Sequence, residues 1–115
     1  MNINSRKIND GILLIDLTQN LDLYSVPSLR DFLNNVLDKN EFSKIIISFS
    51  KDVYIDSSGF GLLFYYKSIL VKKNYPSLRI IADKNKTPLF NLFSIYNHFD
   101  IFENLDDAVK SFNIK

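Results

Sequence analysis

The sequence predicts an α/β sandwich, in which a four- to five-stranded, mostly parallel sheet packs against about four helices. Short apolar runs rich in β-branched residues alternate with segments whose apolar residues recur at helical spacing, in the order ββαβαβαβα. The chain has 115 residues, of which 46% are hydrophobic, and this is enough apolar surface for one core. We therefore expect residues 1–115 to form a single domain.

The composition excludes several classes of function. The net charge of +1 gives no electrostatic reason to expect a nucleic-acid partner. The absence of cysteine excludes disulfides, thiolate zinc sites and cysteine nucleophiles, and the single histidine, His98, excludes multi-histidine metal sites. No signal-like segment begins the sequence, and no apolar run approaches the roughly 18 residues of a membrane span. We expect a cytoplasmic protein with no metal and no cofactor.

The strands are predicted from short apolar runs between turn signals. A weaker edge strand around residues 3–8 is followed by the turn residues Asn9-Asp10-Gly11 and by a buried strand at 12–17. A β-branched run at 45–49 is typical of a central buried strand. The other extended segments are a short piece at 53–55 and strands at 78–82 and 99–102.

The helices are predicted from apolar spacing and from start signals. Ser25 is placed as the cap of the first helix, with Pro27 in the first turn and an end near residues 39–41. A second helix should begin at Ser57 or Ser58 and run to about residue 73. A third should begin at Thr87-Pro88, and the last should span 105–112. The predicted core face of the second helix comprises Gly59, Leu62, Leu63, Tyr66, Ile69 and Leu70.

Enzyme motifs are incomplete around the most polar turn. A nucleophile elbow needs glycine two residues before and two residues after the serine. The residue two before Ser57 is Ile55, and the residue two after Ser58 is Phe60. Residues 59–61, Gly-Phe-Gly, lack the third glycine of a dinucleotide fingerprint and the Gly-Lys-Ser/Thr of a phosphate loop. Tight strand-to-helix packing is favoured for these glycines over nucleotide binding. His98 is interpreted as a surface residue rather than a base, so no catalytic residue is predicted.

Two adjacent serines at the start of the second helix are the most informative local feature. One hydroxyl suffices to cap a helix, so we expect Ser58 to be more buried and to serve the helix start, and Ser57 to be exposed. An apolar strip of Phe60, Phe64 and Val71 should lie between the core face and Ser57. Either a neighbouring element covers this strip or it forms a docking surface.

A second polar segment should lie beside these serines. Asp22 and Tyr24 follow a strand, and the carboxyl ends of parallel strands meet at one edge of the sheet. We therefore expect both residues to share a rim with Ser57. A turn or cap role is the alternative for Asp22.

Two segments that contain these residues resemble a known protein family. Residues 53–61, Val-Tyr-Ile-Asp-Ser-Ser-Gly-Phe-Gly, resemble the phosphorylation loop of the anti-sigma factor antagonists, which are stand-alone STAS domains. Residues 21–27, Leu-Asp-Leu-Tyr-Ser-Val-Pro, resemble the Leu-Asp segment before the first helix of that family, and the order of elements matches over nearly the whole chain. The chain departs from the family pattern at Gln19-Asn20 in place of Gly-Glu, at Phe60 in place of leucine, and at Ser94 in place of glycine.

The resemblance implies a STAS-like fold and a partner-switching role without catalysis. Such a protein binds an anti-sigma factor that is also a serine kinase. The kinase inactivates it by phosphorylating the first serine of the loop, here Ser57, and a phosphatase of the metal-dependent serine/threonine class reverses this. The residues expected to bind the partner are Asp22, Tyr24, Asp56, Ser57, Ser58, Gly59, Phe60 and Phe64.

Two alternatives stay open from the sequence. One is a STAS module of another complex, such as a stress-signalling assembly or a lipid-transport ATPase. The other is a small nucleotide-binding or hydrolytic domain of flavodoxin-like build.

Overall fold

The computed structural model describes residues 3–8, 11–50, 52–83 and 98–113. In these ranges a five-stranded mixed sheet, in the order β1-β2-β3-β4-β5, combines with three helices. The elements are β1 (Asn4–Ile8), β2 (Ile12–Leu17), α1 (Val26–Asp38), β3 (Lys44–Phe49), α2 (Ser57–Lys72), β4 (Arg79–Ile81), β5 (Asp100–Phe102) and α3 (Leu105–Ser111). The predicted α/β architecture is confirmed. No helix in the described ranges is long and apolar enough to cross a membrane.

Three predicted features lie wholly or partly outside the described residues. They are the helix beginning at Thr87-Pro88, the position of Ser94, and the turn residues Asn9 and Asp10. Gly11, which ends that turn, has φ 79°, a conformation that glycine adopts without steric cost. The chain reverses there, because β1 pairs antiparallel with β2.

The sheet lies between two layers of helix because its central strands are apolar on both faces. β2 pairs parallel with β3, β3 with β4, and β4 with β5. Alternate residues of β2 and β3 face opposite sides, as strand geometry requires. Leu13 and Ile45 join a core with α1 and α2, whereas Leu14 and Ile46 join a second core with α3.

The first helix begins where predicted, but Ser25 does not cap it. Ser25 occupies the cap position with helical angles, φ −98° and ψ −20°, and its side chain makes no capping hydrogen bond. Instead its Oγ donates to the carbonyl oxygen of Asn20 (2.7 Å) and accepts from the backbone N–H of Asp22 (2.9 Å). A capping side chain normally sits on extended backbone. Because the backbone at Ser25 is already helical, its hydroxyl holds the preceding loop instead.

The second helix and the central strand β3 are buried as the apolar spacing predicts. The predicted burial of Ile45, Ile47, Leu63, Tyr66 and Leu70 is confirmed, with exposures of 2%, 0%, 0%, 2% and 1%. Ile69, also predicted on the core face, is half-buried.

Tyr66 joins the two helices on this face of the sheet. Its hydroxyl donates to the carbonyl oxygen of Arg30 (3.0 Å) and also contacts the side-chain oxygen of Asn34, both on α1. Burial raises the pKa of Tyr66 to about 12, so the donor hydroxyl persists at neutral pH.

Arg79 holds the last helix to the opposite face. Its guanidinium stacks on Phe112 (4.3 Å), donates to the Ser111 hydroxyl (2.9 Å) and pairs with Asp100 (3.5 Å). Burial lowers the pKa of Arg79, but the guanidinium stays charged at neutral pH. This contact fixes the C-terminal end of α3 against β4 and β5.

Candidate functional site

The site is built where β2 and β3 end. Since these strands are parallel, the loops that follow them meet at one edge of the sheet, and their described residues are 18–25, 50 and 52–56. The backbone N–H of Leu21 donates to the carbonyl oxygen of Tyr54 (2.8 Å), and that of Asp56 donates to Leu21 (3.1 Å). Leu21 and Ile55 form an isolated parallel bridge. The predicted extended piece at 53–55 is therefore present, and it ties the two loops together.

Asp56 caps α2 and also reaches the neighbouring loop. Its backbone is extended, with φ −95° and ψ −176°, and its Oδ1 accepts from the Gly59 N–H (3.0 Å) and the Ser58 hydroxyl (2.6 Å). Its Oδ2 accepts from the Leu23 N–H (3.1 Å). The hydrogen bond from Ser58, above all, lowers the pKa of Asp56, and the bonds from backbone N–H groups act in the same direction.

No serine caps α2, which begins at Ser57, the earlier of the two predicted starts. Ser57 is already the first helical residue, so the extended cap position falls on Asp56.

Ser57 and Ser58 differ as expected in exposure. Ser57 is exposed, whereas Ser58 is half-buried and serves the helix start by donating to Asp56. Within the described part of the chain, the Ser57 hydroxyl has no hydrogen-bond partner. The result is a free hydroxyl at the N-terminus of a 16-residue helix, next to an ionised carboxylate.

The loop before α1 presents apolar side chains beside Ser57. Tyr24 is 90% exposed, Leu23 65% and Tyr54, on the adjoining loop, 52%. We call these three residues the rim patch. Asp22 shares the rim as expected, but its Oδ1 accepts from the backbone N–H groups of Tyr24 (3.0 Å) and Ser25 (3.1 Å). These contacts show that Asp22 has the turn role.

Sequence reasoning missed two members of the rim patch. Tyr54 lies between Val53 and Ile55, which are 4% and 0% exposed. Strict alternation in this short extended piece could have indicated that Tyr54 points outward. Leu23 carried no such signal, because its exposure depends on the Asp56 side chain holding its backbone.

The predicted strip of Phe60, Phe64 and Val71 is only partly correct. Phe60 is 3% exposed and belongs to the main core, so its expected place on a docking surface is wrong. The first turn of α2 lies against the two joined loops as well as the sheet, and this widens the buried arc beyond what a helical wheel indicates. Phe64 is 38% exposed and its ring contacts Phe99 (4.9 Å between centroids), whereas Val71 is 57% exposed.

The two glycines of the loop have different environments. A Cβ on Gly59 would lie 2.7 Å from the Leu21 carbonyl oxygen and 2.9 Å from Ile55 Cγ2, whereas a Cβ on Gly61 would meet nothing within 4 Å. The interpretation that close packing requires glycine is confirmed for Gly59 and is wrong for Gly61. The close neighbour of Gly59 is the Leu21–Ile55 bridge rather than a strand of the sheet. Among the described residues, no group of three or more acidic, histidine or cysteine side chains could hold a metal ion.

Replacing Asp56 tests its role in joining the loops. We expect Asp56→Ala to lower the free energy of unfolding by about 1–2 kcal/mol, because the cap bond and the Leu23 bond are both lost. Asp56→Asn should cost less, since asparagine also caps helices.

The difference in the free energy of unfolding between the wild type and Asp56→Asn should depend on pH. Because folding lowers the pKa below its ordinary 3.8, the carboxylate contributes stability that is fully present above about pH 5. That contribution should be lost as the pH falls through the folded-state pKa. Urea unfolding between pH 2 and pH 6 measures the difference, and a difference that does not change with pH would refute this role of the charge.

Comparison with known proteins agrees with this fold. The family model described as STAS domain matches residues 5–108. No curated protein sequence matches this chain. Three solved structures share its architecture at low sequence identity, each covering more than nine-tenths of both chains.

All three are described as anti-sigma factor antagonists. The one from Mycobacterium paratuberculosis has a TM-score of 0.74 and 19% identity, covering 96% of this chain and 93% of its own. A putative antagonist from Thermotoga maritima has a TM-score of 0.82 and 14% identity, covering 95% and 92%. SpoIIAA in its unphosphorylated form has a TM-score of 0.70 and 16% identity, covering 96% of each chain. At these identities the likeness establishes the fold.

Proposed function

The chain belongs to the STAS domain family, and from this premise we propose that it is an anti-sigma factor antagonist that a serine kinase inactivates at Ser57. Its function is to bind an anti-sigma factor and so release the sigma factor. The protein acts by binding and by being modified, and it catalyses no reaction itself. Structural similarity to anti-sigma factor antagonists supports this choice within the family.

The observation that carries the proposal is the free, exposed hydroxyl of Ser57 at the start of α2. A kinase must place its target hydroxyl next to the γ-phosphate of ATP, so the acceptor has to be reachable and not already engaged. Ser58 is less suited, because its hydroxyl is half-buried and donates to Asp56. Asp56 keeps both serines in fixed positions through the cap of α2.

The rim patch supplies the contact area that the acceptor alone lacks. Exposed aromatic side chains are enriched among residues that dominate binding energy at protein interfaces. Tyr24, Leu23 and Tyr54 lie on the two loops that Asp56 joins, so a partner reaching Ser57 meets them as well. We assign the patch to the kinase, and a phosphatase of the metal-dependent class would need the same access to phosphorylated Ser57.

Two tyrosine substitutions test this assignment. Tyr24→Ala should weaken the complex with an anti-sigma factor kinase from the same genome by about tenfold or more, the loss of a hot-spot side chain. Tyr65→Ala is the matched control, because Tyr65 is 56% exposed on α2 but lies outside the rim patch. Isothermal titration calorimetry with ADP present measures both affinities. Failure of every such kinase to bind the unaltered chain would refute the proposed function, and equal losses in both variants would refute the role of the patch.

A further inference from the structure

The first strand forms an open edge of the sheet on a side of the molecule that the proposed function does not use. β1 (Asn4–Ile8) is the end strand in the sheet order and pairs with β2 alone among the described strands. Its first four residues are exposed. An edge strand leaves about half of its backbone N–H and C=O groups directed away from its neighbour, and an added strand can pair with them.

Cavities flank this strand on both faces of the sheet. On the α3 side, a cavity of about 370 Å³ is lined by Arg6, Ile8, Leu105, Asp106, Val109 and Lys110. On the α1 side, a cavity of about 200 Å³ has a lining that includes Leu13, Phe32, Val36, Lys39 and Glu41. Both are lined by apolar side chains together with charged ones.

The two cavities match the geometry of one added strand. Successive side chains of a strand point to opposite faces of a sheet. A chain that extends the sheet beyond β1 would therefore project alternate side chains toward the α3 cavity and the α1 cavity. A helix or a small ligand could occupy one cavity, but only an extended chain engages both and also satisfies the backbone groups of β1.

The charge on this edge specifies what kind of strand fits. Arg6 and Lys7 alternate faces, since Arg6 pairs with Leu14 of the α3-side core and Lys7 pairs with Leu13 of the α1-side core. The strand and the cavity linings together carry four cations and two carboxylates, namely Arg6, Lys7, Lys39 and Lys110 against Glu41 and Asp106. Like charges directly opposite each other destabilise strand pairing. Self-pairing of two copies through β1 is disfavoured on this ground.

We propose that the β1 edge and its two flanking cavities bind an extended segment of a partner protein in which two adjacent acidic residues are flanked on each side by apolar residues, added as a strand next to β1. The apolar side chains of this segment lie on Ile8 and Val109 on one face and on Phe32 and Val36 on the other. Its carboxylates pair with Arg6 and Lys7. The partner thus differs in chemistry and in place from the one that contacts Ser57.

A designed peptide tests strand addition directly. The probe is a cyclised β-hairpin whose outer strand carries two adjacent glutamates between pairs of valines, and it is cyclised because this removes most of the ordering cost. In two-dimensional amide NMR of the full chain, we expect shifts in β1 and in residues lining both cavities. The same hairpin with lysine in place of glutamate should not bind, and neither should a version with N-methylated outer-strand amides, which cannot donate to β1.

Charge reversal in the protein gives a matched pair of variants. Arg6→Glu/Lys7→Glu should weaken hairpin binding about tenfold or more, whereas Lys72→Glu/Lys73→Glu, the same charge change at exposed positions ending α2, should leave it unchanged. Equal binding by the N-methylated hairpin, shifts away from β1, or equal losses in the two variants would each overturn the proposal. If the edge variant fails to fold, the lysine and N-methylated hairpins decide the question on the unaltered chain.

Discussion

Ser57→Asp should weaken the complex with the anti-sigma factor kinase by two to three orders of magnitude while leaving the domain folded. The added charge must enter a site already occupied by the phosphates of ADP. Like charges brought together at an interface cost several kcal/mol, and a loss of about 3–4 kcal/mol corresponds to roughly 150- to 900-fold in affinity. Phosphorylation adds about −1.5 to −2 charges and should act more strongly than aspartate.

The structure changes one part of this expectation. At a free helix N-terminus a phosphate is favoured by the macrodipole. Here Asp56 already accepts from the Gly59 N–H, so a phosphate on Ser57 lies beside an existing carboxylate. The attraction and the repulsion oppose each other, and we expect the free energy of unfolding to change by no more than about 1 kcal/mol.

Matched variants separate the charge from its position. Ser57→Ala should bind as well as the wild type and resist inactivation. Asn20→Asp adds one negative charge on the neighbouring loop while keeping the side-chain oxygen that accepts from the Tyr54 N–H. It should weaken binding much less than Ser57→Asp. Equal affinities of Ser57→Ala and Ser57→Asp would refute the electrostatic switch, and a large drop in the melting temperature of Ser57→Asp would replace it with a folding mechanism.

Gly59→Ala should destabilise the protein although alanine is the better helix former. The added Cβ would lie 2.7 Å from the Leu21 carbonyl oxygen and 2.9 Å from Ile55 Cγ2. Backbone cannot move aside as a flexible side chain does. We expect a loss of about 3 kcal/mol, at the upper end for overpacking, and Gly59→Val should lose more and weaken both kinase binding and phosphorylation of Ser57.

Gly61→Ala is the matched control for this effect. It lies two residues further along the same helix, and its Cβ would meet nothing within 4 Å. The substitution should stabilise the protein by about 0.5–1 kcal/mol, because alanine loses less backbone entropy than glycine in a helix. Thermal and urea unfolding compare the two variants. If Gly59→Ala were as stable as Gly61→Ala, the close approach to the Leu21–Ile55 bridge would not hold the loop.

The sequence predicted what depends on periodicity. The strand runs, the buried face of α2 and the exposure of Ser57 follow from apolar spacing and from a polar turn after a strand, and all are present in the structure. Tyr66 was predictable as a core residue for the same reason, although its hydrogen bond to α1 was not.

The parts that could not be predicted depend on contacts between distant segments. Asp56 caps α2 through a local contact, but it also holds the Leu23 backbone, 33 residues away in sequence, and this second contact cannot be inferred from local pattern. Phe60 was misplaced because a helical wheel assumes one covered face, whereas the first turn of α2 contacts two loops as well as the sheet. Ser25 failed as a cap because its backbone is helical, which residue type alone does not reveal.

Mapping the phosphate by tandem mass spectrometry tests the central claim most directly. The chain is incubated with the anti-sigma factor kinase and ATP, alongside Ser57→Ala and Ser58→Ala. The account predicts one phosphate, on Ser57, absent from Ser57→Ala and retained in Ser58→Ala, where only the hydrogen bond to Asp56 is lost. A phosphate on Ser58 or on another residue, or undiminished incorporation in Ser57→Ala, would contradict it.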